Sequence, residues 1–305
     1  VSGFRLLIDG EDALASLLAL ADHAERSLDV QYYIVRDDAS SRTILRRVHS
    51  AAARGVRVRM LFDDLNTAQA DDSLLCLTRH PNIELRLYNP FPAGRFSTLT
   101  RVLASLTDID RVNQRMHAKM FVADNALAVT GGRNLGDEYF VLSPSSNFVD
   151  LDLLVGGPVV PALSRTFDQF WNDELAYPIE QLVRRQPECE GPVAAQPATN
   201  ELVVPSGALA RELADLRLEL EWARARVVAD RPPRPGNGTV PVGADSIASP
   251  ASVDGDEIAL ELARLIGSAR DELVIVTPYF VPGPHGMAAF RSLRERGVRI
   301  RVLTN

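Results

Sequence analysis

Hydrophobic and polar positions alternate with two different periods over the first 90 residues. Residues 11–27 repeat apolar side chains at helical spacing, whereas residues 28–35 (LDVQYYIV) are rich in β-branched and aromatic residues typical of a strand. Helix and strand patterns follow in the same order at residues 41–54 and 56–62, and again at 71–79 and 83–87. This alternation predicts an α/β fold with a largely parallel sheet.

The pattern changes after the fourth predicted strand. Residues 89–115 form a long connection with two prolines and several arginines. It is either a surface excursion with a short helix at 99–106 or a lip that faces substrate or membrane, since long loops often carry binding function. Periodicity then predicts a strand at 116–122, a strand at 147–155 and a helix at 161–171.

The composition changes again beyond residue 180. Residues 184–205 are rich in Pro, Ala and Glu, residues 206–228 have the charge pattern of a solvated helix, and residues 229–252 are dominated by Pro, Gly, Ser and Val. Such a composition is typical of a linker. We therefore predict a first domain at residues 1–180 and a linker region at residues 181–256.

The end of the chain repeats its beginning. Residues 258–303 read as helix, strand, helix and strand, and RGVRIRVLTN resembles the earlier RGVRVRMLFD, which aligns Gly297 with Gly55 and Tyr279 with Tyr33. Repetition of a whole helix–strand unit indicates a second copy of one fold. Residues 257–305 are therefore predicted to start a second half, and the repeat offset puts the counterpart of His117 near residue ~360, beyond Asn305.

Composition limits the classes of function. The net charge is −7 and the isoelectric point about 5.3, which argue against a broad nucleic-acid-binding surface. Cys76 and Cys189 are far apart in sequence, so we predict neither a disulfide framework nor a metal cluster. No apolar run approaches the roughly 20 residues that span a bilayer. An anchor ahead of Val1 remains an open expectation.

The candidate chemistry lies in residues 116–140. On a strand, His117 and Lys119 would share one face, and Lys119 is the single lysine among 33 basic residues. An imidazole beside a compact ammonium is suited to a phosphate. Asp124 follows five residues after the lysine, and Gly131-Gly132 with Asn134 follows further on.

Other residues near predicted strand ends have simpler explanations. Tyr32 and Tyr33 are predicted to be core or pocket wall. The pair Asp63-Asp64 ends a predicted strand, where it faces either a crevice or solvent, and a solvated turn is sufficient to explain it.

These residues resemble a known family. His117-x-Lys119-x4-Asp124 followed by Gly131-Gly132-x-Asn134 is similar to the HKD signature of the phospholipase D superfamily. The flanking segments RVNQRMHAKMFVADN, GGRNLGDEYF and FWNDELAYP look like the bacterial cardiolipin synthase branch, especially its C type. The resemblance covers residues 3–178 and 258–305. It implies a phospholipase D-like α/β sandwich whose first half is complete and whose second, pseudo-symmetric half has only begun before its HKD motif.

The resemblance also implies roles at the reacting phosphate. His117 is the expected nucleophile, which forms a phosphohistidine, or the general acid if the other half supplies the nucleophile. Lys119 and Asn134, with Gly132 beside them, are expected to hold the phosphoryl oxygens.

The carboxylates of Asp124 and Asp150 complete the expected catalytic set. Asp150 is expected to orient the His117 ring by a hydrogen bond, with Asp152 as its neighbour on the same face. Asp124 belongs to the motif, and we expect it to tie the loop beneath the site rather than to contact substrate.

The implied activity is a phosphatidyltransferase of the cardiolipin synthase type, which works by ping-pong transfer without a metal ion or cofactor. The expected partners are a phosphatidylglycerol-like phospholipid and the surface of the bacterial inner membrane, to which the protein would bind peripherally; nucleic acid is not expected. Three alternatives remain open: hydrolysis of phospholipids by phospholipase D chemistry, a single-motif nuclease that completes its site as a dimer, and an inactive lipid-binding fragment.

Overall fold

The structure is a computed structural model that describes residues 1–67, 70–90, 115–183, 187–189, 202, 204, 207–215, 217–232, 257–278 and 280–304. The chain divides into two compact units, Val1–Val227 and Val228–Asn305. The predicted lip, with its short helix, and most of the Pro/Gly-rich linker lie outside the described residues.

The described residues of the first unit form nine strands and six helices. The strands are β1 (Ser2–Leu7), β2 (Ser27–Ile34), β3 (Arg57–Asn66), β4 (Ile83–Tyr88), β5 (Met120–Ala123), β6 (Leu127–Gly131), β7 (Asp152–Gly156), β8 (Ala176–Pro178) and β9 (Glu221–Ala223). The helices are α1 (Gly10–His23), α2 (Ala39–Ala53), α3 (Asp71–Leu77), α4 (Val160–Trp171), α5 (Ile179–Leu182) and α6 (Ala208–Ala214), and a 3₁₀ turn spans Asp137–Tyr139.

The sheet is mixed rather than largely parallel. Its strand order is β8-β4-β3-β2-β5-β6-β7-β1-β9, in which β2 pairs in parallel with β3 and β3 with β4, while every other neighbouring pair is antiparallel. The helical connections permit the parallel pairs, whereas β5 and β6 are joined by a tight hairpin at Asp124-Asn125. Ala123 pairs with Leu127, so the connection has three residues, and its first two have positive φ, +54° and +55°, the left-handed values that tight hairpin turns use.

Helices cover both faces of this sheet, which confirms the α/β class. On one face, Leu17 of α1 and Val48 of α2 belong to a buried cluster with strand residues such as Val30. On the other face, Phe167 and Trp171 of α4 lie in a second buried cluster. Two apolar layers around one sheet leave the strand ends free to form a site.

Three predictions about secondary structure are wrong. The segment 206–228 is helical only at Ala208–Ala214; it then forms β9, which pairs with β1. Backbone pairing with an otherwise open sheet edge outweighs helical propensity there. Strand β7 begins only at Asp152, so residues 147–151 are irregular. Asp63 and Asp64 are fully buried within β3, not in a solvated turn.

The two cysteines form a disulfide, contrary to the sequence prediction. The Cα atoms of Cys76 and Cys189 are 5.7 Å apart across a sequence separation of 113 residues. Separation along the chain does not determine distance in space, because β8 returns to pair with β4 and α5 packs beside it. Cys189 is thereby brought back to α3.

The second unit has the predicted helix–strand–helix–strand order. It contains α7 (Glu257–Gly267), β10 (Glu272–Val276), α8 (Gly283–Glu295) and β11 (Arg299–Leu303), and β10 pairs in parallel with β11. Gly297 ends α8 with φ +84°, as Gly55 ends α2 with φ +102°. Tyr279 lies outside the described residues.

Candidate active site

The side chains of His117 and Lys119 lie side by side. They belong to an extended segment immediately before β5, not to the strand itself as the sequence suggested. Lys119 Nζ lies 3.2 Å from Nδ1 and 3.4 Å from Nε2 of His117, and it donates to the His117 carbonyl at 2.9 Å. Lys119 is 6% exposed while His117 is exposed. The ammonium is thus fixed beneath an accessible imidazole.

Tyr33, at the end of β2, forms a wall of this pair. Its ring centroid lies 4.6 Å from that of His117, and Lys119 Nζ lies 5.4 Å from the same ring. The aromatic face provides a weak cation–π contact to the ammonium and limits where the imidazole can rotate. Tyr32 is buried in the core, one of the two predicted alternatives, whereas a place for Tyr33 in a pocket wall stays a prediction.

The two bases perturb each other. Although His117 is exposed overall, partial desolvation of its ring and the neighbouring Lys119 lower the pKa of His117 below its usual 6.5, which favours the neutral imidazole at pH 7. Burial lowers the pKa of Lys119 to about 8, although the carboxylates of Asp150 and Asp152 oppose this shift. A neutral imidazole therefore lies next to an ammonium group that a neighbouring anion would hold in its charged form.

The glycine pair allows two carboxylates to approach the site. A Cβ placed on Gly132 would overlap the Asp150 carboxylate, and one placed on Gly131 would overlap Asp152. Glycine is needed here for close approach rather than for a turn. Direct contact between Gly132 and a phosphate remains a prediction.

Asp150 is half-buried beside Gly132, where its carboxylate accepts a hydrogen bond of 2.8 Å from the Leu151 amide. Within the part of the chain that the structure describes, no hydrogen bond joins Asp150 to His117, whose ring faces Lys119 instead. Orientation of the imidazole by Asp150 therefore stays a prediction.

Asp152 is held by Arg133, a residue that the sequence analysis did not single out. Arg133 is 4% exposed; its amide donates to Asp152 Oδ1 at 3.2 Å and its guanidinium lies 3.4 Å from Oδ2. The same guanidinium donates to the carbonyls of Leu7, Ile8 and Tyr139. Arg133 thus joins the end of β1 to the strand that presents Asp152 to Lys119.

Asn134 and Asp124 hold backbone segments. Asn134 Oδ1 accepts from the Ile34 amide at 3.0 Å, and its amide group donates to the Tyr139 hydroxyl. The Asp124 carboxylate accepts from three successive amides, those of residues 25, 26 and 27, at 2.7–2.9 Å. Asp124 therefore ties the loop between α1 and β2 to the hairpin, as expected. Contact between Asn134 and a phosphate oxygen stays a prediction.

Asp63 anchors the segment that carries His117. It accepts from the Met116 amide at 3.1 Å and pairs with Arg115 at 3.2 Å. Burial raises its pKa to about 6, against the opposing effect of Arg115. Its position at the carboxyl end of a parallel strand, where α/β proteins place ligands, is the feature that could have identified it.

The described residues contain no group of three or more His, Cys, Asp or Glu side chains arranged to hold a metal ion. None of the helices that the structure describes is long and apolar enough to cross a membrane.

Comparison with known proteins agrees with this geometry. The family described as "Cardiolipin synthase, PLD-like domain" matches residues 17–171. Cardiolipin synthase C of Escherichia coli is 37% identical over 96% of this chain and 60% of its own length, and cardiolipin synthase A of Pseudomonas entomophila is 26% identical over 98% and 50%. The chain thus spans about 60% or less of these two relatives.

One solved structure supports the fold. The phosphatidylserine synthase of Haemophilus influenzae superposes with a TM-score of 0.60 at 16% identity, over 99% of this chain and 61% of the other. Such identity carries the fold alone. Together with the family match over more than half of the sequence, it leads to one conclusion: the chain belongs to the PLD-like domain family of the cardiolipin synthases.

Proposed function

We propose that the full-length protein is a phosphatidyltransferase of the cardiolipin synthase type, which uses phospholipid without a metal ion or cofactor. The observation that carries the proposal is the exposed imidazole of His117 beside the buried ammonium of Lys119, whose Nζ lies 3.2 Å from Nδ1 of the ring. This pair supplies a nucleophile and a charge for the phosphoryl oxygens in one place. The similarity to cardiolipin synthases supplies the substrate class.

The proposed reaction has two steps. A ring nitrogen of His117 attacks the phosphorus of phosphatidylglycerol, the bond from phosphorus to the glycerol headgroup breaks, and the departing oxygen takes a proton from an acid supplied by the second half. A hydroxyl of another phosphatidylglycerol then attacks the phosphohistidine, loses its proton to that same group and releases His117. The sum is two phosphatidylglycerols converted to cardiolipin and glycerol.

Lys119 would stabilise both steps. The phosphorane-like transition state gathers negative charge on its non-bridging oxygens, and a fixed, buried cation stabilises that charge more than a solvated one does. Asp150, Gly132 and Asn134 would border the same phosphate. We also propose that the protein acts at the inner membrane surface as a peripheral protein, because its substrate resides there.

The test is to incubate full-length protein with labelled phosphatidylglycerol, with and without phosphatidylethanolamine, and to separate the products. We expect cardiolipin, its loss in His117→Asn, and an acid-labile phosphatidyl adduct on His117 by mass spectrometry. His23→Asn, in the last turn of α1, is the matched control and should keep activity.

The products also separate the alternatives. Phosphatidic acid without cardiolipin would indicate hydrolysis, in which water replaces the acceptor alcohol. Metal-independent cleavage of DNA would favour the single-motif nuclease. Absence of any lipid product, or full activity in His117→Asn, would contradict the proposal.

A further inference from the structure

A loop with exposed apolar side chains and a single charged residue borders the site. Loop 141–151 (VLSPSSNFVDL) connects the 3₁₀ turn to β7, and Asp150 is its single charged residue. Its exposed apolar side chains are Val141 (61%), Leu142 (42%), Phe148 (54%), Val149 (fully exposed) and Leu151 (46%). Apolar residues scattered singly over a surface need no explanation, but five on one short loop do.

The loop has a defined conformation. At its two ends, the amide of Leu142 donates to the Asp137 carbonyl at 2.9 Å and that of Phe148 to the Glu138 carbonyl at 2.8 Å. At its tip, Asn147 Oδ1 accepts from the Ser143 amide and Asn147 Nδ2 donates to the Ser143 carbonyl, both at 3.0 Å. Backbone groups that already have hydrogen-bond partners in the protein do not need water. This lowers the free-energy cost of moving these parts of the loop out of water.

Val141 has a backbone conformation that favours an outside contact. Its φ is +63°, a left-handed value that is a genuine outlier for a β-branched residue. Glycine or asparagine would occupy this position without strain, yet the chain has a valine whose side chain is 61% exposed. Strain that exposes an apolar group points to a function for that group outside the folded domain.

The loop is continuous with the candidate site. Val149 and Leu151 flank Asp150, whose carboxylate abuts Gly132 and acts on the pKa of Lys119. Ile8, which is 66% exposed, adjoins the same region. Arg133 donates to the carbonyls of both Ile8 and Tyr139, and the Phe148 ring stacks on the Tyr139 ring with centroids 5.0 Å apart. The apolar surface therefore begins where the phosphate site ends.

We propose that loop 141–151 inserts its apolar side chains into the surface of a phospholipid bilayer, next to the active site. This inference rests on the proposed lipid substrate. The phosphate of a membrane-embedded lipid lies in the headgroup layer, with its acyl chains on the hydrocarbon side. An active site that binds this phosphate while the lipid stays in the bilayer needs an adjacent apolar surface that can enter the headgroup layer. The exposed apolar side chains of loop 141–151 provide such a surface.

The first experiment probes the environment of Val149 in the full-length protein. A polarity-sensitive fluorophore is attached to Val149→Cys after the native disulfide has formed, and vesicles of phosphatidylglycerol and phosphatidylethanolamine are added. We expect a blue-shifted, brighter emission on addition of vesicles. The matched control is Trp222→Cys on β9, because Trp222 is 62% exposed. Trp222 pairs with Gly3, at the end of β1 opposite to Leu7, so the emission of a fluorophore there should change little.

Two outcomes of this labelling would overturn the proposal. An emission at Val149 that does not respond to vesicles would show that the loop stays in water. An emission already blue-shifted without vesicles would show that another part of the full-length protein, such as the completed second half, covers the loop.

The second experiment separates docking from chemistry. In Phe148→Ser/Val149→Ser we expect vesicle sedimentation at least about tenfold weaker, with unchanged transfer on a short-chain, monomeric phosphatidylglycerol. Trp222→Ser should change neither. Loss of short-chain activity in the double variant, or unchanged vesicle binding, would overturn the proposal. Because binding is measured apart from turnover, absence of transfer in the unmodified protein would contradict the proposed function and leave the docking result readable.

Val141→Asn gives a signature that a structural role would not produce. Asparagine tolerates positive φ, so the melting temperature should rise while vesicle binding weakens. A variant that is destabilised, or that binds vesicles as well as the unmodified protein, would count against a membrane role for Val141.

Discussion

The two units build the same strand–helix–strand motif with different results. β2-α2-β3 in the first unit and β10-α8-β11 in the second are both parallel pairs with a helical crossover, and each helix ends at a glycine with positive φ. In register, Ser27 faces Arg57 and Glu272 faces Arg299. Equal patterns thus form equal local structure in both places.

Burial separates the two copies. Leu61 on β3 is fully buried, whereas Leu303, its counterpart in the repeated sequence, is 67% exposed. The first unit supplies further strands and helices on both faces, while the described part of the second has two strands and two helices and buries no residue of α7. Periodicity selects the element; neighbouring elements determine whether its apolar face is covered.

The largest expected effect is at the candidate site of the first copy. Lys119→Arg in the full-length protein should lower kcat about 10²–10³-fold, since a planar guanidinium does not fit a position shaped for an ammonium. Steady-state transfer assays measure this loss. Arg301→Lys on exposed β11 is the control, because it makes the opposite exchange outside the site. An equal loss of kcat in this variant would show that the effect is not specific to the site of the first copy.

A buried and an exposed ion pair provide the next contrast. Arg133→Met leaves the buried Asp152 without its partner and should cost about 3–5 kcal/mol in the free energy of unfolding. Arg299→Met removes an exposed pair with Glu272 and should cost less than about 1 kcal/mol. Chemical denaturation followed by circular dichroism compares them. Similar costs for the two variants would contradict the burial argument.

Matched leucines test packing directly. Leu61→Ala should destabilise the protein by about 2–5 kcal/mol, because it leaves a cavity in a closed core. Leu303→Ala should change stability by less than about 0.5 kcal/mol in this chain. In the full-length protein, where we expect further elements to cover β11, the second value should approach the first; if it stays small, the repeat is not completed as predicted.

The smallest effect is the pH dependence of the site. Transfer needs neutral His117, whose pKa is lowered, so the acid limb of kcat/KM should fall below pH 6.5. It also needs charged Lys119, so kcat/KM should decline about tenfold per pH unit above about pH 8. A profile on short-chain phosphatidylglycerol measures both limbs. In Lys119→Arg the residual activity should not decline above about pH 8, because arginine stays charged. A decline that persists in this variant would show that another group is responsible for it.

Much of the fold followed from periodicity, and the failures have one cause. The helices α1, α2 and α4 and strands β2 to β4 were predicted within a few residues because each satisfies a local period. β9 was predicted as helix because its sequence is compatible with both states, and pairing with β1 decided between them. The disulfide depends on how the chain returns to α3, which no local pattern encodes.

The candidate site divides in the same way. His117, Lys119 and Asp124 could be found because they lie within eight residues of one another and carry recognisable chemistry. Arg133 could not, since its contact with Asp152 joins residues 19 positions apart. For Asp63 the sequence showed the strand-end position but not the contact with Met116, which joins residues 53 positions apart. Supporting residues are recognised by the groups that they contact in the folded protein. The sequence shows the residues with phosphate chemistry more readily than the residues that position them.

By itself, the sequence determined the helices and strands that follow a clear local period, the internal repeat and the residues able to carry phosphate chemistry, because these depend on spacing within a few residues. Tertiary structure decided the rest: the mixed sheet, the burial that lowers the pKa of Lys119, the carboxylates pressed against Gly131 and Gly132, and the exposed loop beside them. These depend on distances between segments far apart in the chain, where desolvation and close packing set the energies.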